Sequence, residues 1–169
     1  MKIFCIVLTI VLCCSWLLCG CGAKENAPSE PDYSAMIQPP VDVNITDCIT
    51  ADELTAIMGT SMELLGVYEE NSQAVFLSED GHQVTVHMLN QTLAGFEAMK
   101  NSSSDEMVWQ EGLGEAAYRY GDTAQLMFYS GGYAVDVAVT GADEGASHHT
   151  VYMMQIAEAI LRKLPQGAE

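Results

Sequence analysis

Basic residues are scarce. The 169-residue chain has six Lys and Arg against 23 Asp and Glu, a formal net charge of −17. Such a surface repels phosphate backbones and anionic headgroups, which excludes a nucleic-acid binder. Proline is also sparse, and four of the five prolines (Pro28, Pro31, Pro39 and Pro40) fall in one stretch. The chain contains no G-x-S-x-G, HExxH, CxxC, P-loop or EF-hand pattern. The usual signatures of hydrolase, metal and nucleotide chemistry are therefore missing. Only one long apolar run occurs, Ile3 to Leu18. At about 16 residues it is shorter than the roughly 20 that a membrane-spanning helix needs.

The apolar run follows Lys2, the only charge in the first twenty residues. A positive start and then a hydrophobic stretch is the order of a secretory signal. Its end, Leu18-Cys19-Gly20-Cys21, resembles the lipobox of bacterial lipoproteins: a Leu-like residue, a small residue, Gly or Ala, then Cys. Cys19 is an unusual but small residue in the second position. It is not itself the acceptor, because Leu18 would then fill the small site. The resemblance implies that residues 1–20 are a lipoprotein signal peptide. Cys21 would then carry a diacylglycerol thioether, with palmitate-type acyl chains, and begin the mature chain. Two or three acyl chains anchor stably where one does not. The alternatives are an uncleaved signal anchor, or a plain secretory signal with a chance cysteine.

Cleavage before Cys21 would remove Cys5, Cys13, Cys14 and Cys19 and leave Cys48 as the only thiol of the domain. No internal disulfide framework is then available, even in an oxidising compartment. The mature chain would hold five basic against 23 acidic residues, a net −18. Residues 21–47 read as the lipidated Cys and a flexible, Pro-containing tether, with a root-mean-square span of about 30 Å. Residues 48–165 are expected to form a single domain able to bury a core without staples, and 166–169 a short tail.

Thr50-Ala-Asp-Glu53 is a capping box, and Ala51, Leu54, Ile57 and Met58 share the face of the helix it opens. Three strands are expected over Met62–Glu69, Gln73–Glu79 and His82–Leu89, with Asp80-Gly81 as a hairpin turn. A second helix is expected over Asn90–Lys100. A meander follows, with Gly121-Asp122 and Gly131-Gly132 as turns. Ala124, Leu126 and Phe128 should face the core, as should Tyr133, Val135, Val137 and Val139. The last helix is expected over His148–Leu164, with Ser147 as its cap. The fold expected is α+β: an antiparallel sheet of about six strands, order α-βββ-α-βββ-α, with the helices packed on one face.

Two motifs carry a further resemblance. Cys48 stands before Thr50 and Glu53, and Gly112-Leu-Gly-Glu-Ala-Ala-Tyr118 precedes the final hairpins. Over residues 48–164 the chain resembles a domain of unknown function found in small lipoproteins of Gram-positive bacteria. That resemblance implies an α+β fold and an extracytoplasmic location, and it brings no catalytic residues. Many such domains pair the first Cys with one on a central strand; Ala74-Val-Phe76 offers none here.

Candidate chemistry is limited. His148-His149, with Asp143 and Glu144 close by, offers at most a weak divalent site, because adjacent helical residues point about 100° apart. The ten methionines read as core filler rather than a copper set. Strand alternation places Gln83, Thr85 and His87 opposite Val84, Val86 and Met88. It likewise places Gln125, Met127 and Tyr129, and Asp136, on the same polar side. Gln83, Thr85, His87, Gln125, Tyr129 and Asp136 thus form a candidate binding face. The expectation is a non-enzymatic, monomeric, lipid-anchored protein on the extracytoplasmic face of the cell membrane. It would need no metal or other cofactor, and would bind or position a polar partner of the cell envelope. The alternatives are a solute- or cation-binding accessory to a transporter or sensor and, further off, an envelope hydrolase.

Overall fold

The computed structural model describes residues 34–39, 42–102, 107–120, 125–141 and 146–164. The signal region, Cys21, most of the expected tether and the 166–169 tail lie outside these residues. Among the described residues seven strands form one antiparallel sheet: β1 Met62–Tyr68, β2 Gln73–Ser78, β3 Gln83–Leu89, β4 Met107–Trp109, β5 Ala116–Tyr120, β6 Gln125–Ser130 and β7 Tyr133–Thr140. Their spatial order is β1-β2-β3-β7-β6-β5-β4. Two meanders therefore meet where β3 lies against β7, with Val86 opposite Val137 and His87 opposite Asp136. The helices are α1 Ile45–Cys48, α2 Ala51–Met58, α3 Leu93–Ser102 and α4 Ala146–Leu161. The α+β class holds, with seven strands rather than six. The extra strand is β4, three residues long, too short to give a readable alternation.

Each turn has a local cause. The hairpin from β6 to β7 closes through Gly131 (φ 58°) and Gly132 (φ 89°). Two successive positive φ values are what a two-residue hairpin loop requires, and glycine adopts them without a Cβ clash. Helix α2 opens on the expected capping box: the Glu53 amide donates to the Thr50 hydroxyl at 3.3 Å, and the Thr50 amide donates to the Glu53 carboxylate at 3.0 Å. That carboxylate also meets the Lys163 ammonium at 2.6 Å, which ties the start of α2 to the residues just after α4.

The main core lies on one face of the sheet. Phe76, Val84, Val86, Met88, Leu126, Phe128, Val135, Val137 and Val139 point into it and are buried. Helices α1, α2 and α4 cover this face, with Ile45, Leu54, Met153, Ile156 and Ile160 as their contribution. The alternation expected for β3 and β7 is therefore the observed one. Cys48 is buried in the same core as a free thiol. Burial pushes its pKa up, and Asp47 adds to that effect while Lys163 opposes it.

The expectation that all helices pack on one face is corrected. Helix α3 lies on the opposite face. There Phe96, with Leu93 and Met99, packs on Ala116, Tyr118, Met127, Tyr129 and Ala134. Ala116 and Ala134 are small enough to admit a helix, and the aromatic rings of Phe96 and Tyr118 meet at 4.9 Å. The packed residues also begin earlier than Cys48. Ile45 is fully buried. Thr92, which caps α3 through the Gly95 amide, donates its hydroxyl to the Ala35 carbonyl at 2.6 Å. Among the described residues no helix is long and apolar enough to cross a membrane.

Candidate functional site

Helix α3 covers the second face over β5, β6 and part of β7, and the cluster beneath it reaches Met107 on β4 and Leu89 at the end of β3. Over the rest of β3 and β7 that face carries the polar residues read from the alternation. Strand register lines up Gln73, His87, Asp136, Met127 and Tyr118 across five strands, β2-β3-β7-β6-β5. In the adjacent row Thr85 and Gln125 both lie opposite Ala138, from either side.

Asp136 is the centre of this arrangement. Its carboxylate accepts from the Gln125 amide at 2.9 Å through Oδ2. Its Oδ1 is buried and has no hydrogen-bond partner among the described residues. Burial pushes its pKa up, while the Gln125 hydrogen bond and the neighbouring His87 pull it down. A desolvated carboxylate with one oxygen unsatisfied costs stability, and such costs concentrate at functional sites.

His87 is half-buried, and its Nε2 lies 2.9 Å from the Glu69 carboxylate. Sequence reasoning missed Glu69, which reads only as the last residue of the expected strand Met62–Glu69. Glu69, Glu70 and Asn71 all have positive φ, at 49°, 55° and 74°. Left-handed conformation costs a residue with a Cβ about 1–2 kcal/mol, and Asn tolerates it better than Glu. Ser72 holds the turn by donating both its amide, at 3.0 Å, and its hydroxyl, at 2.6 Å, to the Glu69 carbonyl. Glu69 is thus held against His87 by a strained backbone. Glu70→Gly should relieve that strain and raise unfolding stability by about 1 kcal/mol in a urea titration.

The remaining predicted residues divide. Gln83 and Thr85 are hydrogen-bonded to each other at 3.3 Å, on the open part of the face. Tyr129 does not join the site: it is buried beneath α3, 6.0 Å from the Phe96 ring. The unbroken apolar run Leu126-Met-Phe-Tyr129 was the signal for this, since a strand covered on both faces loses its alternation. His149 is buried with its ring 6.3 Å from that of His82. The His148 side chain, Asp143 and Glu144 lie outside the described residues. His82 Nδ1 contacts Asp80 at 3.0 Å. The Ser78 hydroxyl first, and then His82, hold the Asp80 carboxyl down at about 2, which fixes the β2–β3 turn. Among the described residues no group of three or more His, Cys, Asp or Glu side chains is placed to hold a metal.

The Asp136 cost has a pH signature. Its raised pKa means that the native state binds the proton more readily than the unfolded chain. The stability this supplies is fully present below the unfolded value of 3.8 and is lost as pH rises through the folded value. Asp136→Asn should therefore be more stable than wild type at pH 7, and the difference should shrink toward zero below pH 3.8, in paired chemical denaturation series.

Comparison of the chain with protein-family models, curated proteins and solved structures gives no match.

Proposed function

We propose that this chain is a lipoprotein anchored through Cys21 on the extracytoplasmic face of the cell membrane, and that its domain binds a polar partner of the cell envelope rather than catalysing a reaction. The anchor reading rests on the Leu18-Cys19-Gly20-Cys21 register and the Pro-containing stretch after it. The binding reading is carried by Asp136: a desolvated carboxylate with a buried oxygen that has no partner among the described residues, flanked by His87 and Gln125, at the border of the cluster that α3 covers. The imidazole, two carboxylates and amides there present donors and acceptors to a hydrogen-bonding surface, with no nucleophile–base pair among them.

The test compares partner capture from envelope extracts by wild type and by His87→Ala, Gln125→Ala and Asp136→Asn. Each variant is first checked by circular dichroism for the native fold. Loss of the same partner in all three supports the reading. Unchanged capture by all three removes this face as the site.

A further inference from the structure

The edge strand β1 has chemistry of its own. It is seven residues long and lies at the end of the sheet, so one side of its backbone pairs with no other strand among the described residues. Leu64, Leu65, Val67 and Tyr68 are 45, 60, 36 and 47 % exposed, and Leu77 beside them on β2 is 40 % exposed. Leu65 is the extra residue where the register between β1 and β2 shifts, opposite the step from Phe76 to Val75. A hollow of about 270 Å³ opens there, lined by Glu63, Leu64, Leu65, Leu77, Ser78 and Glu79. It is smaller than an ordinary small-molecule site and suits a single apolar side chain.

Long, apolar sheet edges are usually blunted by lysine or proline. This edge has neither. Residues 25–99 contain no Lys or Arg at all. The rim is acidic: Glu63, Glu69, Glu70 and Glu79 are all exposed around the apolar patch. That charge argues against a second copy of this chain, whose β1 would bring the same carboxylates face to face. It also argues for a partner of opposite sign.

We propose that β1 accepts an extended segment of a partner protein as an added strand, the segment alternating apolar side chains with Lys or Arg. Backbone hydrogen bonds supply the pairing, an apolar side chain fills the hollow at Leu65, and the basic side chains meet Glu63, Glu79 and the Glu69-Glu70 turn. The edge shares Glu69 with the Asp136 site, through its contact with His87, and uses none of Asp136, Gln125 or His87 itself.

The test uses the full chain in non-ionic detergent and a fluorescent nine-residue peptide of alternating Val and Lys, read by anisotropy. Saturable binding is expected. It should weaken by at least about tenfold when Lys is replaced by Glu, when the protein carries Glu63→Lys with Leu65→Lys, or in high salt. N-methylation of alternate peptide amides should abolish binding in one phase and spare it in the other, because only one edge of the peptide faces β1. Gln125→Ala, on β6 and without a contact to Glu63, Leu65, Glu69 or Glu79 among the described residues, should leave the affinity within about twofold, since distant sites act independently. No saturable binding overturns the proposal. So does equal affinity for the Glu peptide, or insensitivity to N-methylation in both phases. A β1-dependent homodimer in sedimentation, lost in the Glu63→Lys, Leu65→Lys variant, would assign the edge to a second copy and overturn it as well.

Discussion

Phe128→Ala should lower the unfolding free energy by about 3–5 kcal/mol. Phe128 is fully buried on β6, in the core that α1, α2 and α4 cover, and its register partners are Ala117 and Val135. Truncation removes its apolar surface and leaves a cavity between the sheet and helix α4. Close-packed surroundings relax only in part, which explains the size of the loss. Urea denaturation followed by circular dichroism would measure it. Most domains have only about 5–15 kcal/mol of stability to lose, so the variant should also accumulate poorly in cells. A cost below about 1 kcal/mol would mean that Phe128 does not face a filled core, because only exposed positions tolerate such truncation.

Gly141→Ala should be comparably damaging, for a different reason. Gly141 directly follows β7 with φ 89°, and a Cβ there would land on the Gly81 carbonyl oxygen, with the His82 Cα at 3.2 Å. The substitution adds left-handed strain to a clash with backbone that has no side-chain torsion to yield. Together these should cost about 2–5 kcal/mol. The close approach draws the β2–β3 turn against the end of β7, so the damage should appear as faster hydrogen exchange in residues 78–84 before global unfolding. A nearly neutral Gly141→Ala would show that the β2–β3 turn and Gly141 do not touch as described.

The core-facing side of the sheet was legible because β3 and β7 alternate strictly. Val84, Val86 and Met88, and Val135, Val137 and Val139, are separated by residues of another character, and a period of two admits one assignment of faces. The capping box at Thr50 and the Gly131-Gly132 turn were legible for local reasons that no tertiary contact overrides. The second face was only half legible. In β6 the run Leu126-Met-Phe-Tyr129 signals a strand covered on both faces, but it does not say which element lies across Met127 and Tyr129. Alternation with Leu126 and Phe128 alone puts Tyr129 on the polar side, where α3 covers it. His87, Gln125 and Asp136 were found because each is a polar residue in an apolar strand, and the register then brought them together. Glu69 was out of reach: its contact with His87 depends on three successive left-handed residues, two of them Glu, which no turn propensity signals.

The claim on which the rest depends is the location of the mature protein, and the intact mass of the N-terminal peptide of membrane-extracted protein tests it most directly. The proposed function predicts a chain that begins at Cys21 and carries the added mass of a diacylglyceryl thioether, with Cys21→Ser left at full precursor length. An unmodified Cys21, or a mature terminus at any other residue, would contradict it.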